Sequence, residues 1–179
     1  MALNIPESLL NLESNCGVFA LWMIFQQHGI EKNIEELIQA SKHDRVDGTF
    51  TIALAFALKK FGFNVSFYTD PDPNIDPDEI IFYENAQVQG VHIHAALSYQ
   101  QIQQAVESGK LVIVYYDTLD GIGNQSLVYS IDEHEICFFD SFEAMPAQVF
   151  EQQRNVDGIC QQVIVIDDQN FNLHSSTLH

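Results

Sequence analysis

The sequence predicts an α+β domain, because helical patterns gather in the N-terminal half of the chain and strand patterns gather in the C-terminal half. Its 179 residues suit a single domain, and with 46% hydrophobic and 18% charged residues the composition is globular rather than disordered. No internal repeat or interdomain linker is visible in it. We therefore predict one domain over residues 1–179, with a core at about 5–168 and a polar tail at 169–179.

Helices are indicated by apolar residues at helical spacing. The segment from Cys16 to His28 is apolar around nearly its whole circumference, so we expect a buried helix through the middle of the domain. Capping-box spacings open two further helices, and an Ala-rich apolar run predicts a third. These three are predicted at residues 33–41, 98–108 and 51–61.

Strands are indicated by period-two alternation and by short continuous apolar runs. They are predicted at residues 63–68, 111–116, 125–131, 135–139 and 161–166. Between the first two, Asp70 to Asp78 contains three prolines, each preceded by Asp. We interpret this segment as an extended acidic loop, because the residue before a proline avoids helical geometry.

The charge of the chain limits its partners. Seven Lys and Arg against 25 Asp and Glu give a formal net charge of −18. Nucleic acid and anionic membrane surfaces need clustered cations, so neither is expected as a partner, whereas a neutral or basic peptide or protein is. Nothing at the N-terminus resembles a signal peptide and no apolar run is long enough to span a membrane, so a cytoplasmic location is expected, with leaderless export left open.

Three cysteines at irregular spacing predict neither a disulfide framework nor a zinc site. Cys16 differs from the other two because it begins the apolar helix, where unpaired backbone N–H groups and the helix dipole are expected to lower the pKa of a thiol. Gly17 leaves room for another group to approach the sulfur. A nucleophile at a helix N-terminus is one design of cysteine hydrolase, and the alternative is a small buried apolar side chain.

Five segments in order along the chain carry a resemblance to a known family. They begin with Asn-Cys-Gly-Val-Phe-Ala-Leu and end with Ile-Cys-Phe-Phe-Asp, and they lie at residues 15–21, 51–62, 97–114, 123–132 and 136–140. Together they resemble the papain-like cysteine peptidases, in particular the branch of the bacteriocin-processing, double-glycine leader peptidases and the related papain-like domain named after guanylyl cyclase. The resemblance implies a papain-like fold in which N-terminal helices pack on a C-terminal antiparallel sheet.

The resemblance also implies roles for individual residues. Such a thiol hydrolase has a Cys nucleophile, a His base on a following strand, an Asp or Asn that orients the His, and a Gln that stabilises the oxyanion. Cys16 matches the nucleophile and Asp140 the orienting residue, although Ser141 stands where the family has Pro. The His position holds Asn124, with Gln125 as the neighbouring alternative, and neither amide accepts a proton near neutral pH.

The oxyanion position departs from the family too, because Leu10 or Asn11 stands in that region and only the amide of Asn11 offers a donor. We therefore predict a degenerate pseudo-enzyme that keeps the cleft and binds a peptide or protein. The alternative is an active thiol hydrolase, a peptidase, deamidase or acyltransferase, with a displaced base. A third option is a small-molecule binding domain.

His92 and His94 are the candidates for a displaced base or for metal ligands, since residues two apart share one face of a strand. One such pair falls short of the three or four ligands that a metal site usually has, so no metal and no cofactor are expected. Other histidines are predicted at a helix end, in a turn and in the polar tail: His28, His134, His174 and His179.

Overall fold

The computed structural model describes residues 3–168, and the polar tail with His174 and His179 lies outside this range. The helices are Glu7–Leu10 (α1), Cys16–Gln27 (α2), Ile34–Ser41 (α3), Thr51–Lys60 (α4), Pro77–Val88 (α5), Tyr99–Glu107 (α6) and Ala147–Arg154 (α7). The strands are Asn64–Thr69 (β1), His92–Ala95 (β2), Leu111–Asp117 (β3), Gly123–Ile131 (β4), Glu135–Phe138 (β5), Met145–Pro146 (β6) and Val163–Asp167 (β7).

The strands form one sheet in the order β2-β1-β7-β3-β4-β5-β6. Neighbouring strands are antiparallel, except that β1 and β2 are parallel. The α+β class is confirmed, and the sheet is mixed rather than antiparallel throughout. The parallel pair arises because α5 connects β1 to β2 as a crossover, which returns the chain in the same direction.

Side chains that alternate along the central strands contribute to two different apolar clusters. Ile113 and Leu127 belong to the cluster formed with α2 and α4, whereas Val114 and Val128 belong to the cluster that includes α6 and α7. The sheet therefore separates two cores, and the helix that begins at Cys16 packs in the first.

The predicted buried helix is confirmed, since α2 has eight buried residues among its twelve. No helix within residues 3–168 combines the length and the apolarity needed to cross a lipid bilayer. The capping box at α6 is also present, with Ser98 Oγ accepting from the Gln101 N–H and Gln101 Oε1 accepting from the Ser98 N–H.

The extended loop predicted at Asp70 to Asp78 is wrong at its end, because Pro77 and Asp78 are the first residues of α5. Asp76 has extended backbone angles, which proline requires of its predecessor and which also suit an N-cap. Its carboxylate accepts from the Asp78 N–H at 2.8 Å, and Pro77 occupies the first helical position, where no N–H is needed. The same proline pattern that indicates a loop thus starts a helix.

Candidate functional site

Cys16 is the first residue of α2, and the turn before it has unusual geometry. Ser14 adopts left-handed backbone angles with φ 51°. Asn15 occupies the N-cap position, but its amide donates to the Leu9 carbonyl at 2.8 Å instead of capping the helix. Asn15 therefore fastens α1 to the start of α2, and the sulfur of Cys16 is held at the junction.

Gln125, rather than a histidine, contacts the sulfur. Cys16 Sγ lies 3.3 Å from Gln125 Oε1, and this contact joins α2 to β4. The same amide donates through Nε2 to the Thr49 carbonyl at 2.6 Å and to Thr51 Oγ1 at 3.0 Å. Gln125 is 3% exposed, and the two bonds of its Nε2 lie in the interior.

Gly17 makes that approach possible. A Cβ at this position would lie 2.9 Å from Gln125 Oε1, closer than such atoms approach in proteins. It would also press on both methyl groups of Leu54. The room that the sequence predicts beside the sulfur is present, and an amide oxygen fills it.

Asn124 belongs to a second polar network on the opposite side of β4. Its Nδ2 donates to Tyr116 Oη at 2.8 Å and to Ser126 Oγ at 3.0 Å. Ser126 Oγ in turn donates to Asp140 Oδ2 at 3.0 Å. Residues two apart share one face of a strand, so Asn124 and Ser126 face Asp140 while Gln125 faces Cys16. The expected imidazole would join Cys16 to Asp140. Instead Gln125 contacts Cys16, and Asn124 is joined to Asp140 through Ser126.

The pKa of the Cys16 thiol is raised above its ordinary value, contrary to the expectation for a cysteine at a helix start. Burial of the sulfur is the largest cause, and the negative charge of Asp140 adds to it. Hydrogen bonds with the backbone of Gln125 and of Gly17 lower this pKa, but burial outweighs them. The pKa of Asp140 is also raised, because burial removes water from its carboxyl group. Cys16 is therefore a thiol at neutral pH.

Cys16 opens into a cleft of about 320 Å³, which we call the Cys16 cleft. Asn124, Gln125 and Tyr115 line it from the sheet, and Val46 and Ile122 line it from two loops. Both loop residues are largely exposed. No histidine is among the lining residues of this cleft. Asp140 does not line it either, and reaches it only through Ser126 and Asn124.

Asn11, the candidate oxyanion donor, is not brought to this cleft. It follows α1 as an exposed C-cap residue and lines a different cavity, together with residues of α3. The α1 turn, held by Asn15, directs the Asn11 side chain to that cavity. Among the residues lining the Cys16 cleft, Asn15 and Gln125 carry side-chain amides in addition to Asn124.

The histidines considered from the sequence lie elsewhere. His92 and His94 are on the edge strand β2, exposed to solvent, and His94 stacks on Tyr68 with ring centroids 5.1 Å apart. His28 caps α2 at its C-terminus and pairs with Asp168 at 2.8 Å. Within residues 3–168, no group of three or more His, Cys, Asp or Glu side chains is arranged to hold a metal ion.

His43 is the histidine that sequence reasoning missed. One ring nitrogen lies 2.9 Å from Thr49 Oγ1 and the other lies 3.0 Å from the Glu13 carbonyl. Thr49 is the residue whose carbonyl accepts from Gln125, so His43 is joined to the site through one residue. Its position in a loop after α3 gave no signal in the sequence.

Residues 8–86, which run from α1 into α5 and include Cys16, match the sequence profile of the Peptidase C39 family. This part of the chain therefore resembles the Peptidase C39 family, whose fold is papain-like. The peptidase domain of Streptococcus ComA, a bi-functional ABC transporter involved in a quorum sensing pathway, has a similar structure with a TM-score of 0.53. The similarity covers 84% of this chain and 89% of that chain at 17% sequence identity. No curated protein matches the sequence.

The resemblance drawn from the five sequence segments is therefore confirmed by the profile match over residues 8–86 and by the similarity in fold. The profile match covers the part of the chain that contains Cys16 and α2. Asn124, Gln125 and Asp140 lie beyond the matched residues, so the roles of these three side chains rest on their geometry.

Proposed function

We propose that this domain, which resembles the Peptidase C39 family, binds a peptide or protein in the Cys16 cleft without cleaving it. The observation that carries the proposal is the contact of Cys16 Sγ with Gln125 Oε1 at 3.3 Å. An imidazole in this place accepts the thiol proton, whereas an amide does not accept a proton near neutral pH. The thiol and the amide make a hydrogen-bonded pair that has no means of generating the thiolate.

The electrostatic surroundings support the same conclusion. Burial and the charge of Asp140 raise the pKa of Cys16, whereas the thiol of a cysteine peptidase has a lowered pKa. The net charge of −18 also opposes a negative sulfur. The fold and cleft of a peptidase are thus combined with a sulfur that stays protonated.

The cleft itself suits a bound chain. Its mouth is bordered by the exposed apolar side chains of Val46 and Ile122, which are 80% and 65% exposed. Apolar side chains at the border of a concave site are typical of surfaces that bind a partner. The acidic surface of the domain favours a partner that is neutral or basic.

The test is the rate at which iodoacetamide alkylates Cys16 as a function of pH, followed by peptide mass spectrometry. We expect Cys16 to react more slowly at pH 7 than N-acetylcysteine, because its pKa is raised. For the same reason, the pH at which its alkylation rate is half-maximal should lie above that of the free thiol. Cys137, which is partly exposed, is the internal reference in the same sample. Rapid alkylation that is selective for Cys16 at pH 6 would overturn the proposal.

The second candidate is an active thiol hydrolase, a peptidase, deamidase or acyltransferase, with His43 as the displaced base. The link from His43 through Thr49 to Gln125 and Cys16 is the observation in its favour. Both ring nitrogens of His43 are engaged, which favours the non-hydrolytic proposal. We expect His43→Gln to leave the alkylation rate of Cys16 unchanged, and a rate that falls tenfold or more would support the hydrolase.

A further inference from the structure

A second concave surface adjoins the Cys16 cleft. It has a volume of about 520 Å³ and lies between the start of α4, the first two turns of α5 and the segment before β7. The two cavities share five lining residues, which are Asp47, Gly48, Thr49, Tyr115 and Gln125. A chain bound over Cys16 therefore reaches this surface, which we call the acid-rimmed groove.

The groove carries an excess of negative charge. Five carboxylates line it and Lys42 is the single basic residue among its lining residues. The carboxylates belong to Asp44, Asp47, Asp76, Asp78 and Glu79. In the part of the chain that the structure describes, no salt bridge joins Lys42 to any of them. The groove thus holds several carboxylates that no salt bridge within residues 3–168 pairs with Lys42.

Two of these carboxylates accept hydrogen bonds that stabilise local turns. Asp44 Oδ1 accepts from the backbone N–H groups of Val46 and Asp47, and Asp76 Oδ1 accepts from that of Asp78. Their negative charge remains, but their positions are fixed by the local turns. The carboxylates of Asp47 and Asp78 are exposed and accept no such bond within residues 3–168. They remain available to a ligand.

Gln162 and Glu79 form the floor of the groove. Gln162 is 4% exposed, and its Nε2 donates to Glu79 Oε1 and to Tyr83 Oη, both at 3.3 Å. No donor from residues 3–168 reaches the Gln162 side-chain carbonyl, although the residue lines the groove. Burial raises the pKa of Glu79, as expected for a carboxyl that is desolvated without a cation beside it. The side-chain carbonyl of Gln162 and the half-buried carboxyl of Glu79 therefore lie side by side as acceptors at the floor of the groove.

One wall of the groove is apolar. Phe50, Ile81 and Phe82 line it, and the rings of Phe50 and Phe82 lie with centroids 5.7 Å apart. An apolar wall beside a carboxylate rim suits a side chain with an aliphatic stem and a cationic tip. Lysine and arginine are the side chains with this construction.

We propose that the acid-rimmed groove binds a lysine or arginine side chain of the peptide that lies over Cys16. The proposal rests on the proposed peptide-binding function and specifies which side chain the site selects. The stem packs on the Phe50 and Phe82 wall, and the cation donates to Glu79, Asp47 and the carbonyl of Gln162. Charge complementarity selects this partner over an acidic one.

The experiment is an NMR titration of the ¹⁵N-labelled full chain with N-acetyl-L-arginine amide. N-acetyl-L-citrulline amide is the control, since it has nearly the same shape without the charge. We expect saturable shifts of the backbone amides of Thr49, Phe50 and Phe82 with the arginine probe, and apparent affinity at least about threefold weaker with citrulline. Absence of saturable shifts, or equal affinity for the two probes, would overturn the proposal.

Two variants and one matched control locate the binding. Glu79→Gln and Asp47→Asn should each weaken the arginine probe about threefold, because each removes one rim charge. Glu107→Gln removes an exposed charge from α6, which packs on the other core, and should leave the affinity unchanged. Equal weakening by Glu107→Gln and Asp47→Asn would show that net charge alone attracts the probe, which contradicts a specific groove.

The result of the arginine titration can be distinguished from the result of the alkylation test of the proposed function. Binding of the arginine probe is measured without reference to the sulfur, and the alkylation of Cys16 is measured without the probe. If the probe does not bind and Cys16 is still alkylated slowly, only the proposal about the groove is contradicted. The peptide-binding proposal fails alone when Cys16 alkylates rapidly at pH 6 while the groove binds arginine.

Discussion

The sulfur of Cys16 and the side-chain oxygen of Gln125 lie 3.3 Å apart, on residues 109 positions apart in the chain. The amide that meets the sulfur is also bound to the Thr49 carbonyl and the Thr51 hydroxyl at the start of α4. One buried side chain thus ties α2, α4 and β4 together beside the sulfur of Cys16. Gln125 therefore stabilises the packing of these elements.

Replacement of Gln125 by leucine should lower the free energy of unfolding by about 2–3 kcal/mol, because the Thr49 carbonyl and Thr51 hydroxyl lose a buried donor. Urea denaturation monitored by circular dichroism measures the change. Gln100→Leu is the matched control, since Gln100 is exposed on α6. Equal loss of stability in both variants would contradict this stabilising role of Gln125.

Gln125→His places an imidazole on the face of β4 that meets the Cys16 sulfur, at the neighbouring alternative for the base position. We expect alkylation of Cys16 at pH 7 to become at least about tenfold faster, because an imidazolium beside the sulfur stabilises its thiolate. Gln125→Ala controls for loss of the amide. If the folded His variant and the Ala variant react at the same rate, position 125 is not the base position.

Asp140→Asn should speed the alkylation of Cys16, by about twofold at pH 8. The negative charge of Asp140 raises the pKa of the thiol, so its removal lowers that pKa and moves the rate profile to lower pH. In a working peptidase the same change slows the reaction, because the base loses its orienting partner. Glu107→Gln, remote from the site, controls for net charge. A slower alkylation rate in Asp140→Asn would indicate that Asp140 assists the activation of Cys16, as in an active thiol hydrolase.

Gly123→Ala tests the contact that separates the Cys16 cleft from the acid-rimmed groove. A Cβ at Gly123 would overlap the ring and hydroxyl of Tyr115, which lines both cavities. We expect the substitution to lower the free energy of unfolding by about 1–3 kcal/mol. In a Tyr115→Ala background the same substitution should cost less than about 0.5 kcal/mol. Equal costs in the two backgrounds would contradict the overlap.

Arg154 ties the segment before β7 to the rest of the domain. It is 1% exposed, and its Nη2 donates to the carbonyls of Leu97 at 2.8 Å and Gln161 at 3.3 Å. Arg154→Met should lower the free energy of unfolding by about 3 kcal/mol, because both carbonyls and the neighbouring Glu151 lose their partner.

The conservative variant Arg154→Lys should recover only part of that loss, because one ammonium does not reproduce the fork of a guanidinium. Glu151→Gln is the control, since the carboxylate is partly exposed and its removal should cost less than about 1 kcal/mol. Thermal and urea denaturation measure all three variants. A Met variant as stable as Glu151→Gln would refute the role of Arg154.

Elements with a strong local pattern were predictable from the sequence. The all-round apolar segment gave α2, and the capping box gave the start of α6 at its observed position. Short elements such as α1 and β6 have too few residues for a periodic pattern, and prolines concealed the start of α5. The parallel pairing of β1 with β2 depends on a crossover and on tertiary packing, which local spacing does not encode.

Three of the candidate site residues lie together in the structure, whereas the electrostatics around the sulfur were not predictable from the sequence. Cys16, Asn124 and Gln125 line one cleft, and Asp140 is joined to it through Ser126. Asn11 lies outside the cleft because the α1 turn directs it elsewhere. The direction of the Cys16 pKa shift was wrong, since helix-end effects are visible in a sequence whereas the burial of one sulfur depends on distant chain segments.

The position of β7 in the sheet has a consequence for the order of folding. It lies between β1 and β3, and Asn64 of β1 pairs with Asp167 of β7 across about a hundred residues of chain. A nascent chain that ends before residue 163 has two unpaired strand edges facing the gap, on β1 and on β3. The arrival of one five-residue strand closes both edges, so the two halves of the sheet become a single cooperative unit only when nearly all of residues 3–168 have been synthesised.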